Sequence, residues 1–157
     1  VTDQDFRDRV VLAAIGQVGK PYVWGGNGPD GYDCSGFVLW VWRQVGLDLP
    51  DQTADQLWRG LQPGIGPPKA GDLAFYSSPG KPGKATHVVL ILQAGGNVVA
   101  GANGGGPPDK GETPDAYAAR MRARNAMVRV EDARRNGTHY RDGHMGIRRP
   151  PLERLKV

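Results

Sequence analysis

One stretch constrains this chain more than any other: Tyr22-Val-Trp-Gly-Gly-Asn-Gly-Pro-Asp-Gly-Tyr-Asp-Cys-Ser-Gly-Phe37. Its first part is dense in glycine and proline, which interrupt helices and strands and favour turns. The residues that follow, 37–45, are apolar at helical spacing. A tight loop must therefore deliver the chain into a buried helix, with Cys34 in the first turn. Cys34 is the sole cysteine of 157 residues, so an internal disulfide is excluded. Amide dipoles at a helix start favour negative charge, which biases a thiol there towards the nucleophilic thiolate. A lone cysteine is ordinarily a buried structural residue; the surroundings of this one point to chemistry.

The length suits one domain with a core of its own, and 39% hydrophobic against 23% charged residues describes a globular chain. Residues 1–149 are read as that domain and 150–157 as an exposed C-terminal extension. No stretch has the apolar length of a membrane span, and no signal peptide opens this sequence. The net charge of +4 is concentrated partly in the Arg-rich segment 120–135. Those basic residues alternate with acids and carry no nucleic-acid-binding motif, so no nucleic acid partner is expected; an anionic cell wall would use the same charge. Nothing in the sequence bears on oligomeric state.

Periodicity supplies the elements. Phe6, Val10, Val11, Ala14, Ile15 and Val18 recur at helical intervals across 3–19, where Gly19 and Pro21 stop a first helix. A second helix spans 34–45, with Phe37, Val38, Val41 and Val45 inward and Trp40 and Trp42 covering flanking surface. A third, over 51–58, takes Asp51 or Thr53 as its cap. Strands follow at 72–76, at 86–93 and, after the Gly95-Gly-Asn97 turn, at 97–102. Thr113-Pro114 opens a short helix to about residue 124. Strands at 126–131 and 144–148 complete an α+β order, N-terminal helices packed on a small antiparallel sheet.

Four motifs in this order carry a resemblance: Tyr22-Val-Trp-Gly-Gly, Tyr32-Asp-Cys-Ser-Gly-Phe37, Gly71-Asp-Leu-Ala-Phe-Tyr76 and Thr86-His-Val-Val-Leu-Ile91. Together they resemble the NlpC-type cysteine peptidases of bacterial cell walls, within the papain-like superfamily, across residues 6–149. The resemblance implies a sheet of six strands or fewer with the nucleophile helix packed against it. It further implies hydrolysis of amide bonds in peptidoglycan stem peptides, typically between D-glutamate and a diamino acid. Peptidoglycan or its stem-peptide fragments are the expected partner, in the extracellular or periplasmic wall space or in a phage particle.

Acyl transfer by cysteine needs a thiolate, a base that later protonates the leaving amine, and donors for the oxyanion. Cys34 supplies the first and, through its backbone N–H, part of the last. His87, at the start of the best strand, is the candidate base. The family places a His, Asn or Gln on the next strand to orient the imidazole, near Val99 or Ala100, where this sequence has nothing polar. Asn103 is the candidate instead, with a turn residue as the bland alternative; His139 and His144 lie too far along to match the pattern unless folding brings one close. By resemblance Tyr22 donates to oxyanion or substrate, and Asp33 and Ser35 bind the stem peptide. A core tyrosine and helix-capping residues are the structural alternatives, and Trp24 is expected to shape its loop. No residues have metal-ligand spacing and no loop is placed to cradle phosphate, so no metal or cofactor is expected. A catalytically inactive binding module, or an amidase or acyltransferase on the same fold, remain alternatives because specificity lives in loops.

Overall fold

The computed structural model describes residues 1–133 and 143–156. Helix α1 (Asp3–Ile15) starts at a reciprocal capping box, Thr2 accepting from the Asp5 N–H while Asp5 accepts from the Thr2 N–H. It ends earlier than the periodicity predicts. Residues 16–19 form turns, and Ile15 and Val18 are left exposed while Phe6, Val10 and Ala14 are buried. Arg7 is buried too. Its Nη1 donates to Asp72 Oδ1 at 2.9 Å and to the Ala70 carbonyl at 2.9 Å, fastening α1 to the chain just before the first strand.

Helix α2 (Cys34–Gln44) begins at an Asp33 cap whose Oδ1 accepts the Gly36 N–H at 2.7 Å. Phe37, Val38 and Val41 face inward as expected, but so does Trp42, which is fully buried. Its ring N–H donates to the Gly71 carbonyl at 3.1 Å, and that partner makes the indole tolerable in the core. Helix α3 (Ala54–Gly60) starts three residues later than expected. Thr53 and Gln56 form its capping box, and Asp51 instead accepts from Arg43 and Asn27.

Strands β1 (Leu73–Tyr76), β2 (His87–Ile91), β3 (Val98–Asn103), β4 (Met127–Asp132) and β5 (His144–Arg148) form one sheet, in the order β4-β3-β2-β1-β5 with every neighbouring pair antiparallel. Helix α4 (Pro114–Ala123), with Thr113 as N-cap and Pro114 in its first turn, links β3 to β4. The α+β expectation therefore holds. Side chains alternate across the sheet: Leu73, Phe75, Val88, Leu90, Ala100, Ala102 and Val128 join α1 and α2 in the main core. Ala74, Tyr76, Val89, Ile91 and Val99 form a smaller cluster on the other face. Among the described residues no helix is long and apolar enough to cross a membrane.

The segment read as an exposed extension folds back. Pro150 is buried, Leu152 and Leu155 pack on the main core, and the Lys156 N–H donates to the Gly46 carbonyl at 2.9 Å. Two leucines three residues apart, across a short 3₁₀ turn (Leu152–Arg154), were its unread apolar signal.

The loop and α2 interlock at Gly36, which lies directly on the Gly26 carbonyl where a β-carbon would clash with backbone. The Asp33 N–H donates to that same carbonyl at 2.8 Å. Gly36→Ala is therefore expected to cost roughly 3 kcal/mol, since backbone cannot rotate away as a side chain can. Gly60→Ala, with nothing within 4 Å of the added carbon, should be neutral or slightly stabilising. Urea midpoints of the two variants check the contrast; equal midpoints would refute the interlock.

Candidate active site

Cys34 sits where the loop enters α2, half-buried and packed against the main core. Burial pushes its thiol up to about 11 and the adjacent Asp33 carboxylate adds to this, while hydrogen bonds from the backbone N–H groups of Val88, Ser35 and Cys34 itself pull the other way. The expectation of a standing thiolate is corrected. A helix start does favour the anion, but here desolvation and a neighbouring negative charge outweigh it. Both raise the thiol above its ordinary value, so the anion gains as pH rises. Alkylation of Cys34 by iodoacetamide should thus be slower than that of a small free thiol at pH 7–8 and climb steadily above it. A rate plateau below pH 7 would overturn this ordering.

The Val88 donor ties the sulfur to the beginning of β2, one residue from His87. His87 pairs with Tyr76 on β1, their ring centroids 6.2 Å apart. On the other side of β2 the register Leu90↔Ala100 and Ile91↔Val99, continued along the antiparallel pair, sets Asn103 opposite His87. Asn103 is the last residue of β3 rather than a turn residue, and it is 5% exposed. Gly104, at φ +86°, makes the turn in its stead. His87 Nε2 and Asn103 Oδ1 are both buried from solvent. The positions at Val99 and Ala100, where the family's polar residue was sought, lie deeper in the sheet and are filled by packed apolar side chains.

The same row extends beyond His87. His144 pairs with Tyr76 across β1 and β5, their rings meeting edge to face at 5.5 Å. A residue that looked too distant in sequence is thus one ring away from His87. His139 lies outside the described residues.

Tyr22 is 6% exposed, and burial, followed by the charges of Cys34 and Asp33, raises its phenol well above the ordinary value. It is near enough to both for their charges to act on it. Asp33 does cap the helix, its Oδ1 accepting the Gly36 N–H; Ser35, inside the first turn, donates its hydroxyl to the same oxygen at 3.3 Å. Burial raises the Asp33 carboxyl, opposed by those donors and by the Gly25 N–H. The loop over Tyr22 is the one that leaves β3 after Asn103. Gly105 lies against the Tyr22 ring so closely that a β-carbon would overlap it.

Two features were not found by sequence reasoning. The Val88 N–H is backbone and has no residue signature. Tyr117 on α4 lies outside every recognised motif, yet its hydroxyl accepts the Trp24 N–H at 2.9 Å and donates to the Gly106 carbonyl at 2.8 Å. It joins the two loops that meet at Tyr22.

With this geometry in hand, the comparisons with known proteins are direct. The pattern of the NlpC/P60 family matches residues 19–106, more than half of the chain, and the chain belongs to that family. The bifunctional muramidase/DL-endopeptidase CwlT of Bacillus subtilis is 34% identical over 92 residues, covering 58% of this chain and 28% of CwlT. The NlpC/p60 domain of the peptidoglycan hydrolase SagA superposes with a TM-score of 0.54 at 34% identity, over 82% of this chain and 90% of that one. RipD of Mycobacterium tuberculosis, described as a non-catalytic NlpC/p60 domain protein adapted to peptidoglycan binding, shares the fold with a TM-score of 0.61 at 21% identity, over 92% and 96% of the two chains. The chain spans only 17% to 19% of the length of other curated relatives it matches.

Proposed function

We propose that this chain is a cysteine endopeptidase that cleaves amide bonds in peptidoglycan stem peptides, at the bond from D-glutamate to the diamino acid. The observation that carries the reading is the meeting of Cys34 with the start of β2, the Val88 N–H on the sulfur and His87 next to it. Because burial opposes a standing thiolate, the thiolate–imidazolium pair forms by transfer of the thiol proton to His87 as substrate arrives. The sulfur then attacks the carbonyl carbon, and the oxyanion accepts from the Cys34 N–H and the Tyr22 hydroxyl. The imidazolium gives its proton to the leaving amine, leaving a thioester. Water, deprotonated by His87, attacks that thioester, and the sulfur departs and regains the proton. Asn103 orients the imidazole, and Asp33, beyond its capping bond, and Ser35 meet the polar end of the stem peptide. The chemistry needs no cofactor, and the place of action is wherever peptidoglycan is reached, outside the cell membrane or from a phage particle.

Mass spectrometry of purified muropeptides after incubation tests both activity and bond. The expected products are fragments ending in free D-glutamate and beginning with the free diamino acid. Release of intact stem peptide from the sugar would assign an amidase instead. Unchanged muropeptides that nevertheless bind would assign the inactive module, the case stated for RipD.

A further inference from the structure

We propose that the groove between the Trp24 loop and α4 is a subsite for a sugar ring of the glycan strand, so that the protein selects stem peptides still attached to their disaccharide. The proposal rests on the peptidoglycan reading above. Trp24 was expected only to shape its loop, yet it is 55% exposed, and Val23 beside it is 39% exposed. With Pro108, Pro114 and Tyr117 they line a groove of about 210 Å³. That volume is below the ~300–1,000 Å³ of sites that enclose a whole ligand, so the groove suits one ring rather than an extended substrate.

The lining chemistry selects among the parts of peptidoglycan. A pyranose presents a face of C–H groups that packs on an indole and on proline rings, with hydroxyls at its edge. The stem peptide, in contrast, carries carboxylates, and none of the described residues lining the groove is basic. Its one acid, Glu112, is clamped by Arg120 through two contacts of 2.7 and 2.8 Å, which hold the carboxyl at about 2. An apolar groove with its charge already paired favours a neutral ligand.

The groove is also continuous with the candidate active site. Tyr117 forms the groove wall, holds the Trp24 N–H and donates to the Gly106 carbonyl, next to the Gly105 that lies on the Tyr22 ring. A sugar on Trp24 is therefore one tyrosine pair away from the sulfur. This wall, on α4, lies beyond the matched family segment, which ends at residue 106.

The test uses Cys34→Ala protein, so that no ligand is consumed. Calorimetric titration with the disaccharide–peptide and with the same peptide lacking sugar should give about tenfold tighter binding of the former, the worth of one aromatic contact. Trp24→Ala in that background should bring the disaccharide–peptide down to the affinity of the bare peptide, and Trp24→Tyr should restore most of the difference. Equal affinity for the two ligands in the protein with Trp24 overturns the proposal, as does a Trp24→Ala loss of the same size for both. Since binding is read without turnover, an inactive wild-type chain with an intact sugar preference would sink the peptidase reading and keep the subsite.

Discussion

Cys34→Ala should abolish muropeptide hydrolysis, with a fall of at least ~10⁴-fold, while leaving the thermal midpoint nearly in place. The activity loss is large because no other side chain can form the acyl intermediate, and removing one member of a cooperating pair removes the function of both. The stability loss is small because the residue is half-buried and alanine deletes only the sulfur, in a helix where alanine is the best-tolerated residue. Cys34→Ser should be as inactive, since a hydroxyl ionises far less readily than a thiol in the same buried position. Hydrolysis at the wild-type rate in either variant would remove the enzymatic reading altogether. Loss of activity with a collapsed midpoint would instead make Cys34 structural, and the thermal melt separates the two.

Much of this architecture was legible because local signals and tertiary packing agree. The 86–93 run is rich in β-branched and aliphatic residues and flanked by turn formers, and it became the middle strand of the sheet. Asp33 before an apolar helical run gave away the start of α2, and Thr113-Pro114 that of α4. The misreadings share a cause: they concern which of two exposures an amphipathic residue takes. Trp42 could cover surface or enter the core, and only the Gly71 carbonyl, twenty-nine residues away, provides the partner that lets it in. Trp24, read as shaping its loop beside Gly25 and Gly26, is 55% exposed, a position the neighbouring residues did not announce.

The candidate site divides in the same way. Cys34 and His87 stand out by motif, but the sign of the Cys34 shift depends on three backbone donors, a nearby carboxylate and burial, none of which has a sequence pattern. Asn103 illustrates the limits of turn chemistry. An asparagine before three glycines reads as a turn, and one residue of extra strand converts it into a buried group across from His87. The register that achieves this also moves His144 to Tyr76, a neighbour no linear spacing could reveal.

His87→Ala should lower kcat/KM by about 10³-fold or more, and the lost rate should be partly restored by imidazole added to the buffer. That rescue distinguishes a proton carrier from a packing residue, because free imidazole can move a proton but cannot repair a strand. In the wild type the rate should fall on the acid side, as the imidazole picks up a proton and ceases to be a base. It should fall again at alkaline pH once the thiol is ionised without a protonated partner to serve the leaving amine. Both limbs belong to the pair, not to either residue singly. The alkaline limb should lie high, since burial shifts the Cys34 thiol upward to about 11. In His87→Ala the acid limb should vanish while the alkaline rise of thiol reactivity persists. Asn103→Ala should retain the bell with a fall of only about tenfold, because an orienter biases the ring but carries no proton. A wild-type profile flat from pH 5 to 9, or an His87→Ala enzyme within a few-fold of wild type, would show that His87 merely begins a strand. His144, one tyrosine away in the same cross-strand row, would then be the next base to substitute.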